Sequence, residues 1–323
     1  MEYLKFGHTG LEVSRLALGC MSFGEPERGR ETWSIGEQES SLVIKHALKQ
    51  GINFFDTANL YSQGSSEEIL GRALKKYAKR HDIVLASKIY FPMFTGPNAK
   101  GLSRKSIFRE IDASLKRLQT DYLDLYIIHR WDYDTPIEET MEALHDLVKA
   151  GKVRYIGASS MHAWQFQKAQ FTAEKNGWTK FVSMQNLYNL LYREEEREMI
   201  GLLQDQKVAM TPWSPLASGR LTRDPDTVGR RGLQGQDDPD YVQEADRKII
   251  LRVGELAEKY QVTRSQIATA WVLSKSFVTA PIIGASKTKY IDDAVAALDI
   301  HLTTDDIVYL EEPYLTRPIK YFR

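Results

Sequence analysis

The sequence predicts a (β/α)8 barrel, and three observations carry that prediction. Eight short apolar runs alternate with amphipathic helical stretches, each run is apolar on both faces at its centre, and long irregular stretches follow the first and seventh runs. Strands buried on both faces belong to parallel sheets covered by helices. The repeated strand–helix order favours a barrel over a doubly wound sheet.

Residues 3–6 and 11–13 flank His8-Thr9-Gly10 and read as a small N-terminal hairpin. Strand candidates follow at 15–19 (RLALG), 52–56 (INFFD), 82–88 (DIVLASK), 122–129 (YLDLYIIH), 152–158 (KVRYIGA), 181–185 (FVSMQ), 207–213 (KVAMTPW) and 279–284 (TAPIIG). Helices are expected over 37–50, 66–79, 103–118, 136–150, 162–176, 194–206, 241–260, 264–275 and 287–297, with an extra C-terminal one over 303–312. Thr135-Pro136-Ile137-Glu138 has the form of a capping box, with a capping threonine and proline at the first helical position. Gly51, Gly151 and Gly177 stand where helix-ending glycines are expected. The irregular stretches at 20–36 and 213–240 would both lie on the C-terminal face of a barrel, where active sites are built.

Composition bounds the rest. The 323 residues are 42% hydrophobic and 27% charged, with 43 basic and 43 acidic side chains. That content supports a large core, and one barrel domain over 1–323 accounts for the length. The charge balance argues against nucleic acid as a partner. No apolar run reaches the ~18 residues of a membrane span, and the first residues lack a signal peptide's apolar core. A cytoplasmic protein without membrane association is expected. The single cysteine, Cys20, excludes an intramolecular disulfide and a multi-thiolate metal site, and it reads as barrel packing. The glycine spacing from Gly19 to Gly24 does not fit a dinucleotide-binding turn, and P-loop, zinc-protease and nucleophile-elbow motifs are absent.

Strand ends carry the chemistry. Asp56, Lys88 and His129 end the second, third and fourth strands, and Tyr61 follows the second. In a barrel these four converge on one face. A lysine ending a strand buried on both faces needs a charge partner, and Asp56 is the obvious one. The lysine would lower the pKa of Tyr61 from its usual value near ~10, easing proton transfer. A neutral His129 would align a substrate oxygen with Tyr61. Such a set protonates an alkoxide forming from a carbonyl, and the hydride must come from a nicotinamide.

The motifs FDTANLYSQGSSEEILGRAL at 55–74, SK at 87–88, IIHRWD at 127–132, GKVRYIGASS at 151–160, SMQNLYN at 183–189, TPWSPLASGRL at 211–221 and PIIGASK at 281–287 follow one another in order. This succession resembles the aldo-keto reductase superfamily over about residues 3 to 312. It is most similar to the bacterial branch with YajO-type reductases, and it also resembles the potassium-channel β-subunits. The resemblance implies a catalytic tetrad of Asp56, Tyr61, Lys88 and His129. It implies that Ser159, Ser160 and Gln185 hold a nicotinamide carboxamide, with Trp213 stacked on the ring. Ser214, Pro215, Leu216, Ser218 and Arg220 would follow the pyrophosphate. Gly284, Ser286, Lys287, Tyr290 and Asp293 would meet the adenosine end, where a helix N-terminus favours phosphate.

Gly284 and Tyr290 stand where many NADPH-selective members carry a lysine and an arginine, and Ala294 replaces a frequent asparagine. Ser286, Lys287 and an arginine of the 213–240 loop, Arg230 or Arg231, would compensate. NADPH is expected over NADH. Trp33, Tyr90, Phe91, Trp131 and Tyr133 would wall a substrate pocket, and Arg130 would pair with a nearby carboxylate or attract an anionic substrate. The expected activity is NADP(H)-dependent reduction of an aldehyde or ketone, on a small-molecule carbonyl or sugar. The alternatives are a phosphosugar enzyme forming 1-deoxyxylulose 5-phosphate and a nucleotide-binding regulatory subunit. No feature of the sequence determines the oligomeric state.

Overall fold

The chain begins as an antiparallel pair, β1 (Tyr3–Lys5) and β2 (Glu12–Ser14), with Leu4 opposite Val13. A computed structural model describes residues 1–29, 33–227, 243–320 and 322; residues 228–240 of the second long loop, Arg230 and Arg231 among them, lie outside these. Eight parallel strands follow: β3 (Ala17–Gly19), β4 (Phe54–Asp56), β5 (Val84–Ile89), β6 (Leu123–Ile128), β7 (Val153–Ser159), β8 (Phe181–Gln185), β9 (Ala209–Met210) and β10 (Ile282–Gly284). They run in the order β10-β3-β4-β5-β6-β7-β8-β9. Hydrogen bonds from Thr279 N–H to the Met210 carbonyl (2.8 Å) and from Ile282 N–H to the Pro212 carbonyl (2.9 Å) join the two ends. The sheet thus closes into the expected barrel.

The outer layer comprises α1 (Glu37–Lys49), α2 (Ser65–Tyr77), α3 (Arg104–Leu118), α4 (Ile137–Lys149), α5 (Ala163–Asn176), α6 (Met199–Asp205), α7 (Glu244–Tyr260), α8 (Arg264–Leu273), α9 (Thr288–Ala296) and α10 (Thr304–Glu311). α1 shows why these form: Ser40, Val43, Ile44 and Ala47 recur at helical spacing and are its buried face. Gly51, Gly151 and Gly177 each take positive φ directly after a helix, as their positions predict.

Three expectations change. The box at Thr135 does not form, because the Thr135 hydroxyl donates to Asp132 Oδ2 (2.7 Å) and Pro136 becomes the cap. The helix expected over 194–206 splits into a 3-10 turn at Glu194–Glu196 and α6. Glu194 is drawn inward by the Tyr314 hydroxyl (2.6 Å) and the Arg317 N–H (2.8 Å). The strand expected over 207–213 keeps only two residues in the ladder, since Lys207 is left-handed and Pro212 has no N–H to give.

Inside the barrel, Phe54, Val84, Leu125 and Ile282 pack with Phe6 and Val13 from the hairpin, which plugs the N-terminal end. Phe6 meets Phe54 edge to face at 5.7 Å. Side chains alternate along a strand, so even spacings share a face. Asp56 is two residues beyond Phe54, Lys88 four beyond Val84 and His129 four beyond Leu125. All three are therefore directed into the lumen above the apolar plug. Gly157 belongs to the same lumen, where a Cβ would lie 2.3 Å from Ser183 Oγ.

Candidate active site

The strand ends deliver the four catalytic candidates to one place. Lys88 is wholly buried, and its ammonium donates to Asp56 Oδ1 (2.5 Å), to the Thr57 carbonyl (2.9 Å) and to the Tyr61 hydroxyl (3.2 Å). Three acceptors satisfy its three donors, which is what a buried ammonium requires. Tyr61 opens a 3-10 turn, Tyr61–Gly64, in which Ser62 (φ 44°) and Gln63 (φ 52°) are left-handed. Among the described residues, seven of the ten non-glycine residues with positive φ lie in loops at this face: Ser62, Gln63, Asn98, Ser160, Ser214, Ala217 and Ser218. Strain held by surrounding structure gathers at working sites rather than at supporting ones.

Electrostatics refine the expected roles. Burial alone would lower the Lys88 pKa, but Asp56 and Tyr61 together carry it above the ordinary lysine value. The Tyr61 pKa goes up, not down as the sequence suggests. Burial raises it more than the Lys88 charge lowers it, and Asp56 offsets part of that charge. Tyr61 is therefore a protonated phenol at neutral pH. Burial, followed by the Lys88 and Arg130 charges, holds His129 well below the ordinary imidazole range. Its ring is neutral, and Nδ1 is buried without a hydrogen-bond partner among the described residues. The imidazole stands edge-on to Tyr61 (5.9 Å) and to Phe91 (5.0 Å).

The residues assigned to the nicotinamide end occupy neighbouring strand ends. Ser159 and Gln185 pair in register, with the Ser159 hydroxyl donating to the Gln185 carbonyl (2.6 Å). Gln185 Nε2 donates to Asp56 Oδ2 (2.9 Å), so this set joins directly to the Lys88 pair. Trp213 is half-buried and bridges to Leu187. Beyond it, Ser214 Oγ accepts the Ser218 N–H (3.1 Å), which tightens the following turn. Pro215 is buried, whereas Leu216, Ser218 and Arg220 are half-exposed.

At the adenosine end, Gly284 pairs in register with Gly19 and Gly19 with Asp56. Gly284 therefore stands two strands, roughly 10 Å, from Asp56 at the same level. Lys287 precedes α9 without a side-chain cap, which leaves that helix's first N–H groups available. Ser286 is half-buried, Tyr290 is exposed, and Asp293 accepts from the Ser265 hydroxyl (3.3 Å).

On the substrate side, Phe91 stands against both His129 and Tyr90. Trp131 is buried and meets Trp164 of α5 at 6.1 Å, an aromatic that the sequence reading missed. Tyr133 donates to the Phe322 carbonyl and accepts from Gln165, so it fastens the chain's last residues. Trp33 is buried. Arg130 donates to the His129 carbonyl (2.7 Å) and lies over Phe91, while the Asp132 carboxylate accepts from Leu102, Asp134 and Thr135. Cys20 faces the helix layer rather than the lumen, and burial raises its thiol pKa, as packing implies.

Comparison with known proteins agrees with this fold. The pattern of the aldo/keto reductase family matches residues 15–314. The chain belongs to the aldo/keto reductase family. It is 46% identical to the versiconal hemiacetal acetate reductase of Aspergillus parasiticus, covering 99% of this chain and 98% of that protein. It is 45% identical to a Schizosaccharomyces pombe protein provisionally named an aryl-alcohol dehydrogenase, over 97% and 96% of the two chains. An aldo-keto reductase of Alternaria alternata is 43% identical over 98% and 93%. Among the described residues, no cluster fit to hold a metal ion occurs, and no helix is long and apolar enough to cross a membrane.

Proposed function

We propose that this chain, as one barrel domain over 1–323, is an NADPH-dependent reductase of aryl aldehydes and ketones. The observation that carries the reading is the Lys88 ammonium, bonded to both Asp56 and the Tyr61 hydroxyl beside a neutral imidazole. The donor set suits a nicotinamide dinucleotide. Ser159, Ser160 and Gln185 would hold the carboxamide, and Trp213 would lie against the ring. Ser214, Pro215, Leu216, Ser218 and Arg220 would follow the pyrophosphate. Gly284, Ser286, Lys287, Tyr290 and Asp293 would take the adenosine end. Lys287, with Ser286 beside it, favours a 2′-phosphate and hence NADPH over NADH.

When bound, the nicotinamide supplies the hydride that no protein side chain can. The protein's part is the proton. The carbonyl oxygen takes it from the Tyr61 hydroxyl as the carbon becomes an alcohol carbon, and the tyrosinate left behind is stabilised by Lys88. Asp56 keeps Lys88 charged and aimed, and Gln185 holds the second oxygen of Asp56. Neutral His129 orients the carbonyl oxygen toward Tyr61. Phe91, Trp131 and Trp164 offer flat apolar walls, which favour an aryl carbonyl over a phosphosugar. The intact tetrad favours turnover over a regulatory subunit. Affinity to the YajO-type and channel-subunit branches rests on the sequence motifs, since the relatives named above are fungal. A cytoplasmic location fits the same reading.

The test is consumption of NADPH and, separately, NADH against aryl aldehydes, aliphatic aldehydes and ribulose 5-phosphate. Turnover should be fastest with NADPH and an aryl aldehyde. Loss of ribulose 5-phosphate without net nicotinamide oxidation would favour the phosphosugar reading instead.

A further inference from the structure

The segments assigned to the nicotinamide end come from three strands, and one buried residue outside that set ties them together. Asn186 is wholly buried directly after Gln185. Its Oδ1 accepts the Ser160 N–H at 2.7 Å, and its carbonyl accepts the Trp213 N–H at 3.0 Å. Its Nδ2 donates to Oε2 of Glu195, which is itself 3% exposed. Ser160 has φ 51°, a strained value for a residue with a Cβ, and its buried N–H needs a fixed acceptor. Asn189 repeats the device three residues on, donating to the Ser214 carbonyl at 2.9 Å and accepting the Leu191 N–H at 2.8 Å.

We infer that Asn186, held by Glu195, is a positioning residue that sets Ser160, Gln185 and Trp213 in one mutual geometry for the nicotinamide end of a dinucleotide. The inference rests on the dinucleotide reading proposed above. A side chain whose only task was to fill the core would be apolar at this volume. Asn186 instead uses both ends of its amide and its carbonyl on groups drawn from three segments. Glu195 completes the arrangement from outside the site. Burial raises its pKa to about 8, against the lowering effect of the Asn186 bond and with a further rise from Glu194.

The experiment compares binding of NADPH with binding of 2′,5′-ADP, a fragment with only the adenosine end. Assayed above about pH 8, where Glu195 is ionised, Asn186→Asp sets a second carboxylate against it, and it should weaken NADPH binding by about tenfold or more while 2′,5′-ADP binds as before. Asn186→Asp combined with Glu195→Gln reverses donor and acceptor, and it should return NADPH affinity to within about threefold of native. Unchanged NADPH binding in the single variant would overturn the inference. So would an equal loss of both ligands, or a double variant that does not recover. Should Asn186→Asp fail to fold, Asn186→Ser, smaller and uncharged, carries the same expectation for both ligands. A native chain that binds neither ligand overturns the dinucleotide reading itself, and the inference with it, before any substitution is made.

Discussion

The two ends of the barrel use the same strands for opposite purposes. Toward the N-terminal end, β4, β5 and β6 present Phe54, Val84 and Leu125 to a lumen closed by Phe6 and Val13. Two to four residues further on, the same strands present Asp56, Lys88 and His129. The lower end is apolar, and its side chains need only fill space. The upper end buries an ammonium and a carboxylate, each acceptable only because the other answers it, beside a neutral imidazole. Left-handed residues follow much the same division: at the upper face all but Asn98 adjoin the catalytic and cofactor candidates, whereas Gln119 and Gln261 merely end helices. Apolar packing and the catalytic candidates are thus separated along these three strands by one or two residue pairs, and substitutions should separate stability from chemistry too.

Lys88→Met should show the largest effect, because it touches both properties. It leaves Asp56 buried without its cation, a loss on the order of 3–5 kcal/mol, and removes the charge that stabilises the tyrosinate. Denaturant midpoint and turnover should both fall, and a variant that kept its turnover would break the comparison. Tyr61→Phe confines the damage to chemistry. Turnover should drop roughly 100- to 10,000-fold, with cofactor affinity and the unfolding midpoint close to native. Phe54→Ala is the converse at the lower end, where the side chain is fully buried against Phe6. It should cost about 3–5 kcal/mol of stability, read by chemical denaturation, while turnover per folded molecule stays near native.

Glu195→Gln should have the smallest effect, visible only against pH. The folded pKa of Glu195 is raised to about 8, above the ordinary carboxyl range. Its contribution to stability is therefore complete below the ordinary carboxyl pKa and is lost as pH rises through about 8. The glutamine variant does not ionise, so its stability should decline less than native between pH values of roughly 5 and 8. Parallel native and variant curves of unfolding midpoint against pH would show that Glu195 does not titrate in this way.

The four catalytic candidates were legible because their signal is local. Polar residues at the ends of otherwise apolar runs stand out in any reading, and alternation along a strand directs them inward. Cofactor candidates became legible only through resemblance, since serines and glycines in loops have no periodicity. Asn186 and Glu195 escaped because the hydrogen-bond partners of Asn186 lie 26, 27 and 9 residues away, although the run Gln185-Asn186 at a strand end was a usable sign. Trp164 escaped because a tryptophan early in an amphipathic helix reads as packing, and only the fold sets it beside Trp131.

The sequence by itself determined the eight-unit order, the helix-ending glycines, the apolar lumen and the four strand-end residues, because each depends on spacing within about a dozen positions. Tertiary structure decided the closure between Met210 and Thr279, the diversion of the Thr135 hydroxyl to Asp132 and the network around Asn186. It also reversed the expected direction of the Tyr61 shift. A sequence shows that a lysine stands near a tyrosine along the barrel. It does not show how deeply both are withdrawn from water or how fully Asp56 offsets the charge, and those two quantities set the sign.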